Sequence, residues 1–357
     1  MIEQYTITTT PKYNFPQPNL DIPLPQRFIE LSINSLRQVN SSPLQISLQT
    51  MHQDLSDYPT QLQLKRKPLT LTPNHQETTV AAVDTSTIKI GETKTGIIIA
   101  IRGATVHRKN RNYRYTRLGP FIFHVTEENK NAVYSNLEQD CFHSPHGGYR
   151  QFTPPLLQMP IRLACLLERW LQTRLARTLS DAIILFDGSL TSGTIDTPVY
   201  RMREILGAAR QNHNTVLAFS KATCLRINGY IITDLLPESE APYLLETHGL
   251  RFKPPTVPLG DVYVARLHKA NIAFRLDIDV EVPVQSRIEA VGKLLGNDAF
   301  QNSYPETLRL AHILCTFTAN EVLAMQHFIT RKHGIHIVNR PDMHRLLFGP
   351  FGREGYT

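Results

Sequence analysis

TTVAAVDTST, residues 78–87, and AIILFDGSL, residues 182–190, decide the fold. Each is a short apolar run that ends on an aspartate and then breaks into small residues. Runs of this length between turn signals read as strands, and AIILFD has the composition of a strand buried on both faces. Asp84 and Asp187 thus end two core strands, followed at once by Thr85-Ser86-Thr87 and Gly188-Ser189. A strand that delivers a carboxylate at its carboxyl edge and then turns is a recurrent way to hold a metal or a phosphate. An acid in that position can also simply cap the turn that follows.

Working outward, GIIIAIRGATVHR (96–108) and NYRYTRLGPFIFHVT (112–126) are rich in β-branched and aromatic residues and turn about Asn110. With the first run they predict three sequential, mostly antiparallel strands. A long helix is expected over 155–179, a strand over 182–187, a helix over 197–212 with Pro198 at its first position, and a strand over 215–223. The order β-β-β-α-β-α-β is that of an RNase H-like core. The expected fold is therefore α/β, a mixed sheet flanked by helices. Residues 225–260 read as an irregular insertion. DVYVARLH (261–268) and NIAFRLDIDV (271–280) read as a hairpin, and three helices follow at about 285–297, 305–317 and 319–333. The proline-rich residues 1–25 read as an extended arm, 26–39 as a helix, and the stretch to about residue 76 as polar connection. Three regions result: arm and helix over 1–76, the core domain over 77–335, and a tail over 336–357.

The 357 residues are 41% hydrophobic and 19% charged, which allows a sizeable core and excludes a disordered or fibrous chain. A net charge of +7 favours polyanionic partners, nucleic acid or an anionic membrane surface. Cys141, Cys165, Cys224 and Cys315 are far apart and form no CxxC pair, so a zinc ribbon or finger is not expected. They read as reduced thiols of a cytoplasmic protein. No run of about 18 apolar residues predicts a membrane span, and the first residues lack the pattern of a secretory leader.

Glu168 is the more telling acid. On the 155–179 helix its neighbours at spacings of three and four are Ala164, Cys165, Leu171 and Gln172, so it falls in the apolar stripe. A lone carboxylate there costs several kcal/mol or titrates to its neutral form, unless a cation compensates. That cation is either an arginine or a metal shared with Asp84 and Asp187. Three convergent carboxylates suit Mg²⁺ or Mn²⁺, and two such ions can activate water and stabilise the leaving oxygen of a phosphodiester. His312 shares a helical face with Leu308, Ala311 and Cys315. It is either a core histidine or a ligand that meets the acids, with Tyr304 upstream to orient a phosphate or a water. Lys221, just after a strand, is a candidate phosphate contact. Asp140, His143 and His146 read as an exposed loop without a metal.

Residues 102–117 hold Arg102, Arg108, Lys109, Arg111, Arg114 and Arg117 without an acid, interleaved with Tyr113 and Tyr115. Cationic side chains neutralise phosphates, and aromatic rings stack on unpaired bases. Arg108, Lys109, Arg111, Arg114, Tyr113, Tyr115 and Lys221 are therefore the candidate DNA contacts. A solvated hairpin tip would have the same composition.

AAVDTST, Glu168 in its long helix, ILFDGSL, FSKAT and YPETLRLAH together resemble the NurA nucleases of archaea and bacteria, over roughly residues 78–335. The resemblance implies an RNase H-like fold, Mn²⁺-preferring cleavage of DNA, and a homodimer. It also implies work on double-strand breaks with a hexameric HerA-type translocase. By position, Asp84, Glu168 and Asp187 match the family's acidic ligands, and Tyr304 and His312 its C-terminal pair. Actin-like and sugar-kinase ATPases share this core, but neither DTST nor DGSLTSGT supplies a strong glycine-rich phosphate loop. A DNA-binding adaptor with a degenerate site is the other alternative, against which the intact acids argue.

Overall fold

The computed structural model describes residues 63–64, 67–142, 154–194, 197–249, 254–270 and 272–338. The expected arm, the helix over 26–39, His143, His146, the side chain of Asp140 and the tail from residue 339 lie outside the described residues. The chain divides between residues 51 and 52, and every described residue belongs to the second unit.

Three long strands come first: β1 (Val80–Glu92), β2 (Gly96–Lys109) and β3 (Asn112–Thr126). Helix α1 (Lys130–Phe142) and helix α2 (Met159–Thr178) follow, then β4 (Ile183–Asp187), α3 (Val199–Gln211) and β5 (Thr215–Ser220). β1, β2 and β3 are antiparallel, whereas β1, β4 and β5 run parallel. The α/β core expected from the sequence is thus present, as a mixed sheet flanked by helices. The sheet continues through β8 (Phe274–Asp279), β7 (Gly260–Arg266) and β6 (Tyr243–His248), each antiparallel to its neighbour. Its order is β6-β7-β8-β5-β4-β1-β2-β3. Helices α4 (Val284–Asn297), α5 (Glu306–Cys315) and α6 (Ala319–His333) close the described chain.

The central strands are apolar on both sides because both sides are covered. Val80, Ala82, Ile183, Leu185, Leu217 and Phe219 pack on one face against Val291 and Leu294 of α4 and Leu308 and Ala311 of α5. The alternate residues Ala81, Val83, Ile184, Phe186 and Val216 pack on the other against Leu171 and Leu175 of α2 and Met202 and Ile205 of α3. Each large aliphatic side chain buried this way stabilises by about 1.5–3 kcal/mol. The β2–β3 hairpin closes on Asn110 and Arg111, both at positive φ, as a two-residue turn of this hand requires.

Several boundaries differ from expectation. The 225–260 stretch contains β6, a strand of the main sheet. Two short strands in the supposed polar connection, Gln63–Leu64 and Leu69–Thr70, pair with it. Helix α1 was not expected, and it packs through Val133, Tyr134 and Leu137 beside Leu163 of α2. Pro198 sits just before its helix as a cap rather than at the first helical position, since an extended ψ precedes the first turn, and Pro305 caps α5 in the same way. No described helix is long and apolar enough to cross a membrane.

Candidate metal centre at the sheet edge

The parallel pairing of β1 with β4 ends at Val83 opposite Phe186. Asp84 and Asp187 are the next residue on each strand, so neighbouring strands deliver the two carboxylates side by side. By alternation both follow the parity of Val80, Ala82, Ile183 and Leu185, the face that α5 covers. The chain turns directly after Asp187 at Gly188, whose φ of +102° a side chain would strain. The Gly188 amide donates to Phe219 O at 2.8 Å, and the Leu190 amide donates to Asp277 Oδ2 at 3.0 Å.

Asp84 is 6% exposed. Its Oδ1 accepts from the Thr85 amide at 2.7 Å, and its Oδ2 lies 2.7 Å from His312 Nδ1. Burial, and then the charge of Asp187, raise its pKa above the ordinary carboxylate range, while the bonds from His312 and Thr85 and the charge of Lys221 oppose the rise. Asp187 is paired with Lys221, Nζ to Oδ2 at 2.7 Å.

Glu168 reaches the same place from α2, on the opposite face of the sheet. It is partly buried and accepts from Gln172 Nε2 at 2.9 Å. Burial raises its pKa. Arg169 lowers it, and the charges of Asp84 and Asp187 raise it again. Among the described residues no arginine forms an ion pair with Glu168. Arg169 instead donates to Gln172 Oε1 and Thr197 Oγ1, at 2.6 and 3.2 Å.

Tyr304 is buried, and its hydroxyl has no hydrogen-bond partner among the described residues. Burial, then Asp187 and Asp84, push its pKa up. The ring is fixed edge-on by Phe219 and Phe274, with centroids 6.2 and 5.2 Å away, and Lys221 Nζ lies 5.9 Å from its centroid. The sequence leaves His312 open to two readings, and the structure does not make it a core histidine: Leu308, Ala311 and Cys315 are buried, but the His312 side chain is 53% exposed, at the rim, with Asp84 as its partner.

The structure thus brings together Asp84, Glu168, Asp187, Tyr304, His312 and Lys221. Asp84 and Glu168, whose proton affinity burial and the neighbouring carboxylates raise, beside a buried hydroxyl without a partner among the described residues, fit a hard divalent cation with its water or phosphate ligands. Cys315, expected from the sequence only as a reduced thiol, also lies here. Its spacing of three from His312 was the available signal. Burial and the charge of Asp84 push its thiol up to about 12.

The basic hairpin is elsewhere. Asp84 pairs with Ala104 and Val80 with Arg108, so the hairpin tip lies beyond the amino end of β1's paired core, roughly 20 Å along the strands from the acids. It does not flank the centre. Its charges are also less one-sided than their sequence. Arg102 is buried on Glu321 at 2.7 Å and over the Phe317 ring at 4.3 Å, and Arg117 shares Glu321 at 3.3 Å. Arg108 pairs with buried Asp298 at 3.1 Å and faces the Tyr113 ring, and Lys109 lies 3.4 Å from Glu77. Arg111, Arg114 and Tyr115 are exposed.

No family model and no curated protein matches the sequence. The mixed sheet and its helices define an α/β fold with the RNase H-like strand order, and solved structures align along most of the chain. The NurA nuclease of Sulfolobus solfataricus is 16% identical, with 86% of this chain and 94% of that chain covered and a TM-score of 0.43. A NurA bound to dAMP and manganese is 10% identical, with 90% and 98% covered and a TM-score of 0.44. Endonuclease V of Bacillus subtilis is 14% identical, with 88% and 96% covered and a TM-score of 0.31.

Proposed function

We propose that this chain is a divalent-metal-dependent deoxyribonuclease. The observation that carries the reading is that Asp84 and Asp187 end neighbouring strands side by side, with Glu168 of α2 near enough for its charge to feel both, beside His312, Tyr304 and Lys221. Asp84, Glu168 and Asp187 would hold the metal, Mn²⁺ by the family resemblance or Mg²⁺, and two ions by the chemistry of three carboxylates, with His312 at the exposed rim. A bound divalent cation supplies a Lewis acid and a water that ionises near neutral pH. In the reaction, water adds to phosphorus and the displaced ester oxygen leaves with a proton. The Tyr304 hydroxyl, without a partner among the described residues, would donate to a phosphate oxygen. Lys221 holds Asp187 until a phosphate competes for its ammonium group. Asp84 accepts from His312 and so fixes the imidazole's orientation.

The resemblance extends the reading to a cytoplasmic homodimer that trims double-strand break ends with a HerA-type translocase. The test is cleavage of end-labelled single- and double-stranded DNA with Mn²⁺, Mg²⁺ or EDTA. Cleavage with either metal that stops in EDTA and in Asp187→Asn supports the reading. DNA binding without cleavage under every condition would replace it with the adaptor reading.

A further inference from the structure

The same edge carries a second ligand set of different chemical character. His312 and Cys315 stand three residues apart on the last turn of α5, on neighbouring surface. One ligand atom of each, and one of Asp84, all lie within 4.8 Å of one another, the one such triple among the described residues. The three main acids are hard oxygen donors, suited to Mg²⁺ or Mn²⁺. A carboxylate, an imidazole and a thiolate form a borderline-to-soft set, suited to Zn²⁺ or Cd²⁺.

The geometry is within reach. Zinc holds sulfur at about 2.3 Å and nitrogen or oxygen at about 2.0–2.2 Å, so its tetrahedral ligands stand roughly 3.4–3.7 Å apart. The Asp84–His312 contact of 2.7 Å would open by under about 1 Å, and Cys315 would close by about 1 Å at most. The thiol gives up only a weak bond to His312 O, at 3.2 Å. The half-exposed imidazole leaves an entry path from solvent.

We propose that Asp84, His312 and Cys315 form a zinc trap inside the catalytic centre, which takes Asp84 away from the hard cation and arrests cleavage. The inference rests on the nuclease reading for its consequence, though not for the site itself. On binding, the Cys315 S–H bond breaks, its proton passes to buffer, and the sulfur lone pair is donated to the ion. The imidazole keeps one proton, on the nitrogen turned away from the ion. Nothing is oxidised or reduced.

Cadmium serves as the probe, because a Cd–thiolate bond gives an ultraviolet charge-transfer band. Titration of the full chain should produce a band that saturates at one equivalent. The band should persist in Cys224→Ser, which removes the exposed thiol, and vanish in Cys315→Ser and Cys315→Ala. No band in the wild type, or an undiminished band in Cys315→Ser, overturns the proposal. If both Cys315 variants fail to fold, His312→Ala keeps the thiol and should weaken cadmium binding about tenfold or more. Unchanged affinity there overturns it too. In cleavage at fixed Mn²⁺, the half-inhibiting Zn²⁺ concentration should rise about tenfold or more in Cys315→Ser, each variant measured against its own uninhibited rate. A protein that cleaves DNA but gives no band loses the zinc trap and keeps the nuclease. One that gives the Cys315-dependent band but never cleaves keeps the site and loses the nuclease.

Discussion

Asp84 holds four neighbours at once: the Thr85 amide, His312 and the charges of Asp187 and Lys221. Asp84→Asn keeps the volume and removes the charge. On the nuclease reading, cleavage should fall by at least about 10³-fold, and likewise in Glu168→Gln and Asp187→Asn, because each removes a charge that would bind the cation in the transition state. His312→Gln should lower turnover about 10²-fold with little change in melting temperature, since a rim side chain contributes little to packing. Turnover and melting measured on one preparation check both. A destabilised His312→Gln with normal specific activity would remove His312 from the site. The acids were legible because an apolar run that ends on Asp, or a Glu inside an apolar stripe, breaks a local rule. The environment of His312 was not, because helical periodicity places a residue on a face without saying where the neighbouring element ends. α5 covers Leu308 and Ala311 against the sheet, but its last turn overhangs the edge at Asp84, and His312 emerges there.

At the scale of elements, the loop after Asp187 is tied down by β8. Arg275 donates to both oxygens of Asp277, at 2.7 and 2.6 Å, and to Thr191 Oγ1 at 3.2 Å, and Asp277 in turn accepts from the Leu190 amide. Asp277→Ala would leave Arg275 buried without its counter-charge and should cost about 3–5 kcal/mol of stability, read by denaturant melting. A loss near zero would show that water compensates the guanidinium. The hairpin sorts by the same logic. Arg108→Ala should mainly destabilise the fold, because it strands buried Asp298. Replacing Arg111, Arg114 and Tyr115 together should weaken DNA binding and flatten its salt dependence, leaving turnover at saturating DNA near normal, because the tip is far from the acids. An unchanged salt slope would mark the tip as a solvated turn. The core strands and helices were readable because each has a covered face and a clear period. β6 was not, since YLLETH alternates poorly and sits among prolines and acids, and its strand state depends on β7 alongside. α1 was missed because its apolar residues are few and weakly periodic.

Across the whole molecule, two sets of acids pull stability in opposite directions with pH, and only one of them lies at the proposed metal centre. Glu321 caps α6 and clamps Arg102, and those bonds hold its pKa down at about 2. An unfolded glutamate titrates at about 4.3, so the unfolded chain binds more protons between these values, and the clamp's contribution is lost as pH falls through about 2. Asp84 and Glu168 have folded pKa values above their unfolded ones, so here the folded chain binds more protons. Their effect is reversed: stability falls as pH rises from the ordinary carboxylate range through the raised folded values, as both acids ionise beside Asp187. A bound cation offsets that repulsion and leaves Glu321 untouched. Melting temperature in Mn²⁺ minus that in EDTA should therefore be small at about pH 4 and widen toward neutrality. With metal at about a hundredfold over its Kd, it should reach about 5 °C for a chain of this size. In EDTA at neutral pH, Glu168→Gln should melt no lower than wild type, and the Mn²⁺ increment should shrink in that variant. Glu321→Gln should flatten only the acid limb, equally with and without metal. A Mn²⁺ increment that stays constant from acid to neutral pH, or that survives Glu168→Gln in full, would mean that these carboxylates do not share the cation.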